Sequence, residues 1–108
     1  MNIHFILRAQ GKGDPKIVLR IFDSRFHKRN FMYSTGRSIK ANLWDKRRNR
    51  VKSAVGQINE DELVNLNRHL DYLEQKAITF LSERHNSSTL SREDLKCFLQ
   101  YASPHAYH

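Results

Sequence analysis

Residues 16–36 read KIVLRIFDSRFHKRNFMYSTG, and this stretch contains two of the three strands that we predict. Apolar side chains occupy every second position between Ile17 and Asp23, which is the period expected of a strand with one face on a core. Asp23-Ser24-Arg25 is a turn-forming connection, and the aromatic-rich run from Phe26 to Thr35 ends at Gly36. These features predict an antiparallel pair of strands.

A further strand precedes this pair, because apolar residues also alternate between Asn2 and Arg8. Residues 9–16 contain Gly and Pro and predict the connecting turn. The inner face of the resulting meander is expected to consist of Ile3, Phe5, Leu7, Ile17, Leu19 and Ile21. The outer face would then expose His4, Ile6, Arg8, Lys16, Val18, Arg20 and Phe22. In the third strand we expect Phe31 and Tyr33 inside, but a register slip of one residue would exchange them with Met32 and Ser34.

Two helices are predicted to follow the strands. Asn59 precedes three acidic residues, a combination that caps free N–H groups and suits the positive end of a helix dipole. Leucines and other apolar residues then recur at three-four spacing, which predicts an amphipathic helix over about residues 60–85. Ser91 and Asp94 resemble a capping box and predict a second helix over about residues 92–102. Residues 39–51 are expected to be irregular, with Trp44 in the core.

The predicted fold class is α+β: a three-stranded antiparallel β-sheet packed on one face by a long C-terminal α-helix, plus a short second helix. A length of 108 residues suits a single domain. We divide it into a basic three-stranded sheet with an irregular extension (1–56), a helical part of the same domain (57–103) and a loose tail (104–108).

Charge is distributed unevenly along the chain. Residues 1–56 contain fourteen Lys or Arg and three Asp, a net charge of +11, whereas residues 57–108 contain five basic and eight acidic residues, a net charge of −3. A concentrated positive potential attracts a polyanion, so double-stranded DNA is the expected partner. In a major groove, strand residues would read base edges and loop cations would contact phosphates. The candidate DNA-binding residues are Arg8, Lys12, Lys16, Arg20, Arg25, Lys28, Arg29, Arg37 and Lys40.

Residue patterns typical of catalysis or metal binding are missing from the sequence. The six His have no metal-ligand spacing, Cys97 is the single cysteine, and Gly11-Lys12-Gly13 lacks the rest of a phosphate loop. We therefore expect no metal, no cofactor, no small-molecule substrate and no enzymatic activity of this chain. The lone cysteine suits a reducing cytoplasm, and no apolar run reaches the ~20 residues that cross a bilayer. We expect a cytoplasmic protein with no membrane partner.

Five segments follow one another in a distinctive order: Ile17-Val18-Leu19-Arg20-Ile21, Tyr33-Ser34-Thr35-Gly36, Ile39-Lys40, Leu43-Trp44-Asp45 and Arg50-Val51-Lys52. Over residues 2 to about 100 the chain resembles the N-terminal arm-type DNA-binding domain of integrases of the tyrosine recombinase family. The resemblance implies a sheet that enters the major groove of arm sites flanking the crossover region. It also implies an N-terminal fragment of a longer integrase of a mobile genetic element, whose other domains would contact further integrase subunits.

Two other functions fit parts of the sequence. The leucine face of residues 63–81 could pair with a helix of another protein, with the basic half serving only solubility. The basic strands with Phe22, Phe26 and Phe31 could instead stack the bases of RNA. Sedimentation tests the first alternative, and competition between duplex DNA and single-stranded RNA tests the second.

Overall fold

The computed structural model describes residues 2–53, 56 and 58–101, with Tyr101 described for its backbone alone, so the predicted tail 104–108 lies outside the described residues. An antiparallel sheet with the strand order β1-β2-β3 is followed by two helices, which confirms the predicted α+β architecture. The elements are β1 (Asn2–Arg8), β2 (Lys16–Phe22), β3 (Asn30–Ser38), α1 (Glu60–Glu83) and α2 (Arg92–Tyr101).

Local sequence signals define where both helices begin. The side chain of Asn59 accepts a hydrogen bond from the N–H of Asp61 at 2.8 Å, and the hydroxyl of Ser91 accepts one from the N–H of Asp94 at 3.2 Å. Each bond satisfies an N–H group that the first turn of a helix leaves unpaired. The predicted helix starts are therefore confirmed.

The inner face of the sheet forms one side of the hydrophobic core. All six side chains expected on this face lie in the core or pack against it. Successive side chains of a strand point to opposite faces, so the predicted alternation places them together. Four of them are buried, namely Phe5, Ile17, Leu19 and Ile21, and two pack at the margin, namely Ile3 and Leu7.

The third strand places Phe31 and Tyr33 on the inner face, as expected. Phe31 is buried, and Tyr33 packs half-buried against the core, where burial raises the pKa of its hydroxyl. Met32 and Ser34 are exposed on the other side. The helices complete the core with the leucine stripe of α1 and with α2, through Leu70, Leu73, Ala77, Phe80, Leu81, Leu95 and Leu99.

Two parts of the chain differ from the prediction. β3 begins at Asn30 rather than at Phe26, because residues 27–29 form a short 3-10 turn that extended backbone cannot include. Phe26 is buried instead and stacks on Phe31 with 5.5 Å between ring centroids. The segment expected to be irregular contains a second, two-stranded sheet formed by β4 (Trp44–Asp45) and β5 (Arg50–Val51).

This small sheet is attached to the core through Trp44 and Val51, which are both buried. Asn67 of α1 holds β5 in place: its amide donates to the carbonyl of Val51 at 3.0 Å and its carbonyl oxygen accepts from the N–H of Val51 at 2.9 Å. Strands of two residues are too short to show alternation in a sequence. The sequence therefore gives no local signal for this pairing, to which Asn67 of α1 adds a contact from far along the chain.

Ser34-Thr35-Gly36 forms a β-bulge in β3. The register between β2 and β3 shifts at this point, and Gly36 has a φ of +77°, which glycine adopts without steric cost. The hydroxyl of Thr35 donates to the carbonyl of Ile17 at 2.8 Å and accepts from the N–H of Arg37 at 3.2 Å. The side chain of Thr35 thus supplies hydrogen bonds in place of the strand-to-strand backbone bonds that the bulge interrupts.

Replacing Thr35 by Val is expected to lower the free energy of unfolding by about 1–3 kcal/mol, because the buried carbonyl of Ile17 would lose its donor. Ser34→Ala is the matched control, since Ser34 is exposed and its effect should stay within about 0.5 kcal/mol. Urea denaturation measures both changes. Equal losses in the two variants would contradict the role assigned to the Thr35 hydroxyl.

Candidate nucleic-acid interface

The side of the main sheet that faces away from the core is the candidate interface, and we call it the outer face. Cross-strand pairing arranges its side chains in rows, for example His4 beside Arg20 and Met32, and Arg8 beside Lys16. None of its residues is acidic. The outer face consists of Asn2, His4, Ile6, Arg8, Lys16, Val18, Arg20, Phe22, Asn30, Met32, Ser34 and Ser38.

Val18 corrects one expectation, because it is only 4% exposed although it lies on the outer face. It occupies the central strand and has Ile6 of β1 and Ser34 of β3 as its direct neighbours. Neighbours on both sides cover a short side chain in the middle of a sheet. Together with Arg8 and Lys16 it lines a shallow depression, whose floor is therefore partly apolar.

Arg20 lies at the centre of the outer face. Its guanidinium carbon is 4.3 Å from the centroid of the Phe22 ring, two residues along the same strand. A guanidinium stacked on an aromatic ring keeps its in-plane N–H donors available for other contacts. Within the described part of the chain, its Nε is buried and has no hydrogen-bond partner, so the donors open to an external ligand are those of the terminal Nη atoms. The sequence predicted this residue as a contact, whereas the stacking follows from the shared face.

The connection between β2 and β3 is held by an ion pair. Arg25 donates from Nε and Nη2 to the two carboxylate oxygens of Asp23 at 3.0 and 2.8 Å. These hydrogen bonds hold the pKa of the Asp23 carboxyl below its ordinary value and raise the pKa of Arg25. Arg25 also donates to the carbonyl of Arg84, just after α1, at 2.8 Å. We therefore assign Arg25, a predicted DNA contact, to holding this turn.

The same turn exposes Lys28 and Arg29. Both have left-handed backbone, with φ of 63° and 60°, which is uncommon for residues of these types. Backbone hydrogen bonds nevertheless close the turn, from the N–H of Asp23 to the carbonyl of Arg29 at 3.2 Å and from the N–H of Arg29 to the carbonyl of Phe26 at 2.8 Å. The turn therefore presents two adjacent cations at one end of the sheet.

Three further predicted residues are exposed at the opposite end of the sheet. Lys12 lies in the β1–β2 loop, which Gln10 fastens by donating to the carbonyl of Asp14 at 2.6 Å. Arg37 and Lys40 follow the bulge of β3. The structure thus brings Arg8, Lys16 and Arg20 together on the outer face and distributes Lys12, Lys28, Arg29, Arg37 and Lys40 over its two ends.

Sequence reasoning left three exposed cations, Lys46, Arg47 and Arg48, out of the candidate site. They form the turn between β4 and β5. This turn lies beside β1, because the side-chain oxygen of Asn49 accepts a hydrogen bond from the N–H of Phe5 at 3.1 Å. Turn-forming residues flank the basic run and could have indicated a hairpin.

Acidic side chains are concentrated on α1, which packs against the other face of the sheet. Its first turn contains Glu60, Asp61 and Glu62. Asp71 lies 2.7 Å from the guanidinium of Arg50, and Glu74 lies 3.3 Å from it. The uneven charge of the sequence therefore becomes a difference between two sides of the molecule.

Most of the residues on which the two alternative functions depend are covered by the rest of the chain. The leucine stripe of α1 packs on the core of this chain, with Leu63 and Leu66 partly buried and the stripe from Leu70 onward buried, so it is already used inside the domain. Phe26 and Phe31 are also buried, so that of these three aromatic residues Phe22 alone lies on the outer face.

In the described ranges no group of His, Cys, Asp and Glu could hold a metal ion. No helix in those ranges has the length and apolar character needed to cross a membrane.

A comparison with protein families supports DNA binding by this chain. A family model described as an arm DNA-binding domain matches residues 8–96. The matched residues include all of β2, β3 and α1, together with the Ser-Thr-Gly bulge and the β4–β5 hairpin. No curated protein matches the chain, and neither does any solved structure.

Proposed function

The chain belongs to the arm DNA-binding domain family, and from this premise we propose that it recognises a specific duplex sequence by placing the outer face in the major groove. An arm DNA-binding domain is a non-catalytic DNA-binding module found at the N-termini of tyrosine recombinases. The observation that supports this docking mode is a sheet face with three cations and no carboxylate, which neither helix of the described residues covers.

The dimensions of the sheet fit a major groove. Neighbouring strands lie about 4.8 Å apart, so three strands span about 10 Å between the outer two. The major groove of B-DNA is about 12 Å wide and admits β-structure. Side chains of the outer face would therefore meet base edges, and residues at the ends of the sheet would meet the phosphates.

We assign base reading to the strand cations and DNA positioning to the end cations. The stacked guanidinium of Arg20 suits bidentate recognition of guanine at O6 and N7. The apolar floor at Val18 and Ile6 suits the methyl group of thymine. Arg8 and Lys16 extend the readout along the face, and the phosphate contacts are assigned to Lys12, Lys28, Arg29, Arg37 and Lys40.

We further propose that the DNA sites are arm-type sites and that the parent protein is a tyrosine recombinase of a mobile genetic element. Family membership supports this assignment. Such a parent would act on cytoplasmic DNA and assemble with further recombinase subunits through its other domains.

Arg20→Ala is expected to weaken binding to the preferred duplex by roughly 5- to 150-fold, the value of one bidentate base contact of about 1–3 kcal/mol. The preferred duplex is obtained by selection from a random-sequence pool with the wild-type chain. Arg68→Ala is the matched control, because Arg68 is exposed on α1 and its loss changes the net charge equally. Fluorescence anisotropy measures the affinity of each variant.

The comparison of Arg20→Ala with Arg68→Ala decides whether Arg20 reads a base or only adds to the overall electrostatic attraction between the protein and DNA. If both variants lose the same affinity, net charge alone explains binding, and the assignment of the outer face is wrong. Single-stranded RNA provides the second arm of the experiment. RNA that displaces the selected duplex at equal concentration would support base stacking in place of groove binding.

A further inference from the structure

We propose that the turn between β4 and β5 is a second DNA-contact site, whose exposed cations bind the phosphodiester backbone that borders the groove occupied by the outer face. We call Lys46, Arg47 and Arg48 the hairpin cations. The proposal rests on the proposed function and adds to it a contact that is independent of base sequence.

The hairpin lies next to the outer face, at the free edge of β1. Asn49 anchors it there, because its side-chain oxygen accepts the N–H of Phe5 at 3.1 Å. Lys46 lines the same surface depression as His4 and Ile6, which both belong to the outer face. Lys46 therefore connects the hairpin to the outer face, and Arg48 lies farther round the edge of the molecule, where it lines a depression with Asn67 and Asp71 of α1.

The one carboxylate of the hairpin, that of Asp45, accepts hydrogen bonds from backbone N–H groups, and the hairpin cations remain exposed to solvent. The Oδ1 of Asp45 accepts from the N–H groups of Arg47 and Arg48 at 2.9 and 3.2 Å, and the carbonyl of Asp45 accepts from the N–H of Asn49 at 2.8 Å. The side chain of Arg48 is 85% exposed, and its Nε is 3.9 Å from the nearer oxygen of Asp45. The turn is thus fixed while its positive charge remains accessible.

Arg50 belongs to the same hairpin but, unlike the hairpin cations, is paired with acidic side chains of α1. It is bound by Asp71 and Glu74 of α1, and its side chain is only 18% exposed. Arg50 therefore attaches the hairpin to the helix. Arg47 and Arg48 have no such acidic partner on α1 among the described residues, which leaves them available to an external anion.

The position of the hairpin decides what kind of contact it can make. A three-stranded sheet of about 10 Å nearly fills a major groove of about 12 Å, so a segment beyond its edge lies over the sugar-phosphate backbone. Cations at that position contact phosphates and fix the register of the protein on DNA without reading bases. The hairpin cations are therefore expected to bind phosphates whatever the base sequence of the duplex.

The test compares the double variant Arg47→Gln/Arg48→Gln with the matched control Arg68→Gln/Lys96→Gln, which removes the same charge from exposed helix positions. Binding is measured with the selected duplex and with a scrambled duplex over a series of salt concentrations. Loss of two phosphate contacts should lower the salt slope by about 1.8 and the affinity about 60-fold at about 0.1 M salt. Circular dichroism verifies that both variants remain folded.

The expected result is an equal loss on the selected and scrambled duplexes in the hairpin variant, with little change in the control. Affinity in the hairpin variant that equals the control on both duplexes would overturn the proposal. A loss confined to the selected duplex would also overturn it, because it would indicate base reading. If Arg20→Ala still weakens binding in either case, the proposed function stands without the hairpin contact.

Discussion

Raising the monovalent salt concentration from about 50 to about 200 mM is expected to weaken binding of this chain to duplex DNA at least about 500-fold. Each phosphate contact releases condensed counterions, and the slope of log affinity against log salt is about −0.9 per contact. The five cations at the ends of the sheet alone give a slope of about −4.5. The three hairpin cations would steepen it to about −7.2.

This prediction is checked by anisotropy titrations at several salt concentrations with one duplex. A slope between 0 and about −2 would mean that few of the assigned cations contact phosphates, and it would contradict the proposed interface. Chemical-shift mapping on the same complex supplies an independent control. Perturbed amides confined to α1 and α2 would place the DNA on the wrong side of the molecule.

Phe5→Ala is expected to lower the free energy of unfolding by about 3–5 kcal/mol, a large part of the stability of a small domain. Phe5 is 1% exposed and lies in the middle of β1 on the inner face, so truncation leaves a cavity that the surrounding core cannot fill. The matched variant is Phe22→Ala, which removes the same ring from the outer face. Its side chain is half-buried, so a smaller destabilisation is expected.

In DNA binding the order of the two Phe variants should be reversed: Phe22→Ala should have the larger effect and Phe5→Ala the smaller one. Phe22→Ala removes the ring on which Arg20 stacks, so it should weaken binding while the fold persists. Thermal unfolding and anisotropy measure the two effects on each variant. Equal destabilisation by Phe5→Ala and Phe22→Ala would contradict the assignment of inner and outer faces on which the interface depends.

The three main strands, both helix starts and the inner face follow from local patterns in the sequence. The alternation of Ile17, Leu19 and Ile21 reports the strand and its buried side together, because the period of side chains in a strand is two. Asn59 and Ser91 predict helix starts, because a cap bonds to a residue only two or three positions away. Such features are visible in a sequence because the residues involved are neighbours in it.

The roles of Arg25, Val18 and Arg47 depend instead on residues far away in the chain. Arg25 resembles any other cation of the basic half until the carbonyl of Arg84 is beside it. Val18 is covered by neighbouring strands, and the β4–β5 hairpin is held against β1 by Asn49 and against α1 by Asn67 and Arg50. Composition and periodicity establish that this chain forms a basic sheet under a helix. Which cations remain free for DNA follows from long-range packing, because a charge is available to a ligand only where folding has supplied no internal partner.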